Sequence, residues 1–188
     1  MLSYTVFAGV NGAGKSTMYC SFEDLHREGR VNCDDILREF NGDWRNEEDQ
    51  FKSGQIALKR IEDYLENEIS FSQETTLSSK NAIRNAVKAR NKGFYTELHF
   101  VYVDSAEIAI ERIKNRVKDG GHDVPDELVR SRFVKSLNNL AKAIEVFDAV
   151  FIYDNTVNFE GIAVYYRGEM EMCLDTLPNW FKSFLDRH

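Results

Sequence analysis

The amino-acid sequence predicts one α/β domain with a mainly parallel, five-stranded sheet and helices on both of its faces. Short β-branched and aromatic runs alternate with helix-like segments of about ten or more residues, a pattern typical of β-α-β units with parallel strands. The length of 188 residues and the content of 43% hydrophobic and 29% charged residues fit one globular domain over residues 1–188. The same composition excludes a disordered chain.

The first half of the chain provides three predicted strands and the helices between them. Residues 4–9 form a β-branched and aromatic run that ends in glycine, which predicts a buried strand. Apolar residues at helical spacing between residues 50 and 68 predict a long amphipathic helix. The other elements predicted here are helices at 15–26, from 36 and at 79–91, and strands at 30–33 and 70–73.

The second half begins with residues 95–103, the clearest strand in the sequence, and a helix is predicted over residues 106–118. Residues 119–124 contain two glycines and two aspartates and predict a turn. Pro125 suits the first position of the next helix, which is expected to extend to about residue 146. A fifth strand is predicted at 149–153.

The last part of the chain, about residues 160–187, departs from this alternation and forms a predicted appendage. Arg167-Gly168 separates two strand-like runs and predicts a two-residue β-hairpin. A helix with three aromatic side chains is expected over residues 178–185. The sequence leaves open whether the appendage completes the core, covers a sheet edge or contacts a partner.

The charge balance and the cysteine content limit which binding partners and which cellular compartment the sequence predicts. The chain has 24 Lys and Arg against 31 Asp and Glu, a formal net charge of −7, which argues against binding to a nucleic-acid backbone. Its cysteines (Cys20, Cys33 and Cys173) are odd in number and lack CxxC spacing, so neither a disulfide framework nor a zinc site is indicated. With no basic leader and no apolar run of about 18 residues, we expect a cytoplasmic protein without a membrane partner.

The sequence GVNGAGKST at residues 9–17 matches the pattern G-x-x-x-x-G-K-[ST] between a predicted strand and a predicted helix. Glycines in such a P-loop let backbone N–H groups face phosphate oxygens, and the start of the helix adds its positive dipole end. Lys15 then reaches the β- and γ-phosphates, and Ser16 offers its hydroxyl to Mg²⁺. We therefore predict a P-loop NTPase fold that uses ATP and Mg²⁺. The predicted nucleotide-binding residues of the loop are Gly9, Asn11, Gly12, Ala13, Gly14, Lys15, Ser16 and Thr17.

Three other predicted strands end in polar residues, which parallel pairing brings to the same edge of the sheet. They are Asp34 and Asp35 after the second strand, Glu74, Thr75 and Thr76 after the third, and Asp154 and Asn155 after the fifth. Asn155 is expected either to contact the adenine edge of the nucleotide or to serve a turn.

Together these motifs resemble the zeta-toxin family of P-loop kinases, particularly its short, stand-alone members. The matching landmarks occur in order over about residues 3–155. They are GVNGAGKST at 9–17, NCDDI at 32–36, ETTLS at 74–78, IERIKNRVKDGGHDVP at 110–125, Arg132, and YDN at 153–155. The chain departs from the family pattern at Val10, where a proline is usual, and at Gln55, where an arginine is common.

The resemblance implies a kinase that transfers the γ-phosphoryl group of ATP to a hydroxyl of a nucleotide sugar, such as UDP-N-acetylglucosamine. It also makes an antitoxin protein a partner to consider. It implies that Asp34 accepts the acceptor's hydroxyl proton, and that Arg116 and Arg132 join Lys15 in balancing the charge of the transferred group. Two alternatives stay open: a P-loop kinase for another small acceptor, and a P-loop ATPase or switch module without an acceptor.

For several candidate site residues, the sequence also allows a purely structural role. Asp34 or Asp35 would also suit a helix N-cap. Glu74 would hold Mg²⁺ through water, bind the acceptor, or lie in a surface turn. Thr75 and Thr76 would bind the acceptor or cap the following helix.

A lid is expected over residues 112–132, with the Gly120-Gly121-His122 turn as its hinge. His122 is expected to hold this turn by hydrogen bonding rather than to transfer protons. Arg112 and Arg130 are expected to be solvated surface residues.

Overall fold

Seven strands form one continuous sheet at the centre of the structure. The structure is a computed structural model and describes residues 1–187. The strands are β1 (Ser3–Ala8), β2 (Gly29–Val31), β3 (Phe71–Thr75), β4 (Tyr95–Tyr102), β5 (Ala149–Asp154), β6 (Glu160–Tyr166) and β7 (Glu169–Cys173). The helices are α1 (Lys15–Ser21), α2 (Cys33–Glu39), α3 (Glu47–Glu66), α4 (Asn81–Asn91), α5 (Ala106–Lys118), α6 (Asp126–Val146) and α7 (Asn179–Leu185).

The strand order is β2-β3-β1-β4-β5-β6-β7, and the first five strands in that order are parallel. The predicted α/β class and the five parallel strands are confirmed. The sheet as a whole is mixed, because β6 and β7 add antiparallel to the edge of β5. The predicted hairpin therefore covers a sheet edge, since an uncovered β5 would present a row of unpaired backbone groups.

Asparagine caps set the starts of two helices. The Oδ1 atom of Asn32 accepts the N–H of Asp34 at 2.8 Å, and Oδ1 of Asn46 accepts the N–H of Glu48 at 2.8 Å. Helix α3 consequently begins at Glu47, before the predicted start at residue 50. Helix α1 ends at Ser21, earlier than predicted, and a short 3₁₀ turn at Glu23–Leu25 follows it.

Alternation along the strands divides the core between the two faces of the sheet. On one face, Tyr4 and Phe100 belong to a large buried cluster under α3, α4 and α6. On the other face, Phe7, Val101 and Ile110 belong to a smaller buried cluster under α1 and α5. Both faces of the strand that leads into the phosphate loop are therefore packed, which fixes the start of that loop.

The C-terminal helix packs into the larger of these clusters. Phe181 and Phe184 are essentially inaccessible to solvent, and the indole Nε1 of Trp180 donates to Oδ1 of Asp154 at 2.7 Å. These contacts make α7 continuous with the core of the sheet. Among residues 1–187, no helix has both the length and the apolar character needed to cross a bilayer.

Phe181→Ala tests whether the C-terminal helix shares one cooperative core with the sheet. Removing a fully buried ring leaves a cavity, so we expect the free energy of unfolding to fall by about 3–5 kcal/mol in a single urea transition. The control Val157→Ala, at a side chain that is 83% exposed, should change it by less than about 0.5 kcal/mol. A separate early transition with an unchanged main transition would show that α7 folds independently.

His99 provides a second test, on the smaller-cluster face of the sheet. Its ring stacks on Phe151 at 4.8 Å, and Nδ1 lies 3.1 Å from the hydroxyl of Tyr153. Burial, and to a smaller extent the positive charge of Arg27, lower the pKa of His99 from 6.5 to about 3.

This depressed pKa predicts a pH-dependent loss of stability. The unfolded chain binds a proton at His99 below pH 6.5, and the folded chain does not until about pH 3, so stability falls as the pH decreases through that window. We expect His99→Phe to flatten the dependence of the unfolding free energy on pH in that range, measured by urea titration. An unchanged slope would contradict the buried, neutral state of this ring.

Candidate functional site

The loop between β1 and α1 is shaped by glycines that cannot be replaced without a clash. Gly12 has a φ of +82°, and a Cβ there would lie 2.4 Å from the carbonyl oxygen of Ala109. Gly14 has a φ of +104°, and a Cβ there would lie 2.5 Å from Nδ2 of Asn155. The loop therefore keeps its backbone N–H groups free of side chains, as a phosphate cradle requires.

Lys15 begins helix α1 and is buried, with 9% of its surface exposed. Its Nζ donates to the carbonyl oxygen of Val10 at 3.3 Å. Burial lowers the pKa of Lys15, and the carboxylates of Glu74 and Asp34 oppose that shift, whereas Arg116 and Arg132 add to it. The structure thus brings together five predicted site residues from four helices and one strand.

Asn155 links the end of β5 to the loop. Its backbone N–H donates to the carbonyl of Tyr102 at 2.9 Å, and its side-chain Nδ2 donates to the carbonyl of Ala13 at 2.8 Å. Of the two roles left open by the sequence, this geometry matches the structural one, because the amide nitrogen is directed at the loop backbone.

Glu74 lies at the C-terminal end of β3, which pairs in parallel with β1 as the sequence predicted. Its Oε1 accepts the hydroxyl of Ser16 at 3.1 Å, and its Oε2 accepts Nδ2 of Asn32 at 3.0 Å. The guanidinium of Arg30 lies 3.7 Å from Oε2. Glu74 is thus held in the site, which is inconsistent with a surface turn.

The two adjacent aspartates of α2 have different surroundings. Asp35 pairs with Arg30 at 3.2 Å and with Arg38 at 3.1 Å, so both of its carboxylate oxygens are engaged. Asp34 has a side chain that is 52% exposed, and its Oδ2 lies 3.6 Å from Nε2 of His122. The interpretation of either aspartate as an N-cap was wrong, because Asn32 caps the helix.

Two of the predicted site arginines lie on α5 and α6. Arg132 donates from Nη1 to Oδ1 of Asn11 at 2.8 Å. Arg116 donates from Nη2 to the carbonyl of His122 at 2.8 Å, and its buried Nε has no hydrogen-bond partner among residues 1–187. Burial lowers the pKa of Arg132, and the charge of Asp34 raises it.

The structure also places two threonines expected to bind the acceptor or cap a helix, and two arginines expected at the surface. Thr75 accepts the N–H of Leu77 at 3.2 Å, and Thr76 bonds to the hydroxyl of Ser78 at 2.8 Å, so neither caps α4, which begins at Asn81. Arg130 is exposed and pairs with Glu107, as its expected surface position implies. Arg112 is instead partly buried and donates to the carbonyl of Thr156 at 3.2 Å.

A sequence profile of the Zeta toxin family matches residues 3–171. The chain belongs to the zeta toxin family of P-loop kinases. It is also 32% identical, over 127 residues, to an uncharacterized protein of Haemophilus influenzae, a match that covers 68% of this chain and 89% of the relative.

Solved structures share the fold of this zeta toxin family member at low identity. A crystal structure of AvrRxo1-ORF1:AvrRxo1-ORF2 with sulphate ions matches with a TM-score of 0.75 and 17% identity, covering 98% of this chain and 63% of that chain. The PezAT chromosomal toxin-antitoxin system of Streptococcus pneumoniae matches with a TM-score of 0.59 and 14% identity, over 99% and 82%. A putative kinase from Chloroflexus aurantiacus matches with a TM-score of 0.54 and 19% identity, over 70% and 79%. The chain thus spans about three fifths of the AvrRxo1 chain.

Sequence reasoning about this zeta toxin family member missed the groups that hold Glu74. Arg30 lies over the ring of Tyr19 at 4.1 Å and bridges Glu74 and Asp35. Asn32 caps α2 and donates to Glu74. Asn32 stood in the NCDDI motif without an assigned role, and the only signal for Arg30 was its position in β2, shortly before the aspartates already singled out.

Asn155→Ala tests the link between β5 and the phosphate loop. Losing one hydrogen bond of about 1 kcal/mol should loosen the loop and weaken ATP binding about fivefold, measured by isothermal titration calorimetry. The control Asn158→Ala, at an exposed neighbouring position, should bind ATP as the wild type does. Equal affinities for Asn155→Ala and the wild type would show that the loop needs no such support.

Proposed function

We propose that this chain transfers the γ-phosphoryl group of ATP to a hydroxyl of a nucleotide sugar of the UDP-N-acetylglucosamine type, in the cytoplasm. The observation that carries the proposal is a chain of hydrogen bonds from the phosphate loop to the helix that bears Asp34. Ser16 in the loop donates to Glu74, Glu74 accepts from Asn32, and Asn32 caps α2. Asp34, at the start of that helix, keeps a half-exposed carboxylate. That arrangement suits phosphoryl transfer to an alcohol.

ATP is the proposed donor. The glycine loop offers its N–H groups at the start of α1, and Lys15 provides a positive charge there. A crystal structure of AvrRxo1-ORF1:-ORF2 with ATP matches this fold with a TM-score of 0.71, which supports the same donor here.

The oxygen donors beside the loop fit Mg²⁺. Ser16 and Glu74 present a hydroxyl and a carboxylate within 3.1 Å of each other, and Mg²⁺ binds such hard oxygens and keeps several waters. We propose that Ser16 holds the ion directly and Glu74 holds it through water. When bound, Mg²⁺ neutralises charge on the phosphate oxygens.

Asp34 is the proposed general base. As the acceptor oxygen bonds to the γ-phosphorus, its O–H proton passes to the Asp34 carboxylate, and the bond from the γ-phosphorus to the β–γ bridging oxygen breaks to release ADP. Asp35 is poorly suited to this role because two guanidinium groups engage its oxygens. Asp34 keeps an exposed carboxylate edge for the acceptor.

Lys15, Arg116 and Arg132 are the proposed groups that balance charge on the transferred phosphoryl. The buried Nε of Arg116 has no hydrogen-bond partner among residues 1–187, so it retains a donor for a phosphate oxygen. Arg132 is held against the loop by Asn11. We propose Thr75 and Thr76, beside Glu74 at the end of β3, as acceptor contacts.

An antitoxin protein is the proposed macromolecular partner. The structural matches include the PezAT toxin-antitoxin system and the AvrRxo1-ORF1:AvrRxo1-ORF2 complex. The test is to coexpress this chain with the product of a neighbouring gene and purify the two together. A stable complex that lacks kinase activity would support an antitoxin partner.

The kinase assay uses the protein with ATP, Mg²⁺ and a panel of nucleotide sugars, nucleotides and simple sugars, and mass spectrometry of the products. We expect a nucleotide sugar heavier by one phosphate. Lys15→Ala should abolish transfer, because the triphosphate loses its buried cation. Asp34→Asn should keep ATP binding and lower the transfer rate by about 10²–10⁴-fold.

Asp35→Asn is the matched control and should stay within about tenfold of the wild-type rate. Full activity of Asp34→Asn would refute the proposed base. If another member of the panel is phosphorylated and no nucleotide sugar is, that compound replaces the nucleotide sugar as the proposed acceptor. Turnover of ATP without any acceptor would favour an ATPase or switch module.

A further inference from the structure

The turn between α5 and α6 reaches across the site to the candidate base. His122, in this turn, has its Nε2 atom 3.6 Å from Oδ2 of Asp34 on α2. The two residues are far apart in the chain, and the proposed reaction assigns no role to the imidazole. The approach is specific to Asp34, since the neighbouring Asp35 faces Arg30 and Arg38 instead.

A lid arginine fixes the position of that histidine. Arg116 donates from Nη2 to the carbonyl of His122 at 2.8 Å, and the N–H of Gly121 donates to the carbonyl of Arg116 at 2.9 Å. A Cβ at Gly121 would lie 2.5 Å from Cγ of Arg116, so the turn wraps closely around this side chain. The turn and the arginine therefore form one unit, and movement of either one displaces the imidazole.

We infer that His122 is a positioning residue for the Asp34 carboxylate, delivered by Arg116, so that closure of the lid and orientation of the base are one event. The inference rests on the proposed function and concerns how its base is controlled. It also explains the glycine directly before His122, because a side chain at Gly121 would displace Arg116.

The charges around His122 favour a neutral ring. Burial lowers its pKa, the charge of Asp34 opposes this, and Arg116, Arg38 and Lys15 lower the pKa further. The indole of Trp44, from the loop between α2 and α3, lies 6.1 Å from the imidazole and adds no charge. A neutral imidazole keeps one N–H that can be directed at the carboxylate without cancelling its negative charge.

Kinetics of His122 variants test the inference in the intact chain. We expect His122→Ala to lower kcat about 10–100-fold, with KM for ATP within about twofold, because a misoriented base affects transfer more than nucleotide binding. His122→Gln, whose amide N–H can reach the same carboxylate, should recover most of the loss. Asp119→Asn, an exposed change in the same turn, is the control and should match the wild type. A wild-type kcat for His122→Ala, or equal losses for the Ala and Gln variants, would overturn the inference.

A second measurement does not depend on turnover. Because Asp34 raises the pKa of His122, Asp34→Asn should lower that pKa in an NMR titration of the imidazole, and Asp35→Asn should leave it closer to the wild-type value. An imidazole pKa unaffected by Asp34→Asn would overturn the contact. If the wild type phosphorylates no acceptor but Asp34→Asn shifts the pKa, the proposed function fails and the coupling of the turn to Asp34 stands.

Discussion

Burial of one ammonium group governs the layout of the site. Lys15 is nearly inaccessible at the start of α1, and an isolated buried cation would be costly or would lose its proton. The carboxylates of Glu74 and Asp34 compensate for its burial, and Arg116 and Arg132 add positive charge from α5 and α6. The site is thus a balanced set of charges, and a triphosphate would interact with its positive part.

The parallel order of the strands makes this balance possible. The β1 strand leads into the phosphate loop, and its neighbour β3 ends in Glu74, whereas β2, on the far side of β3, leads into α2. Parallel pairing places these three C-terminal ends on the same edge of the sheet. Asn32, within the NCDDI motif, and Arg30, outside every recognised motif, then hold Glu74 beside Ser16.

The neighbouring carboxylates of Asp34 and Asp35 on α2 have different surroundings, which suit them to different roles. Asp35 is engaged by two arginines, one before α2 and one within it, and stabilises the junction of β2 and α2. Asp34 points toward the turn between α5 and α6, where the imidazole of His122 lies 3.6 Å away. The oxygens of Asp35 are thus occupied by guanidinium groups, whereas the carboxylate of Asp34 keeps an edge open to solvent.

The sequence by itself determined the class of fold, the phosphate loop and most helices and strands, because hydrophobic period, caps and glycine positions are local signals. It also determined which residues were candidates, including Glu74 and Arg132. It left open the destination of the Asn155 amide and the docking of the hairpin on β5, and it wrongly placed Arg112 in solvent. Only the tertiary structure decided these, because each depends on a partner distant in the chain, such as Ala13 for Asn155 and Thr156 for Arg112. Local propensity contains no information about such partners, which are set by strand order and by the packing of helices across the sheet.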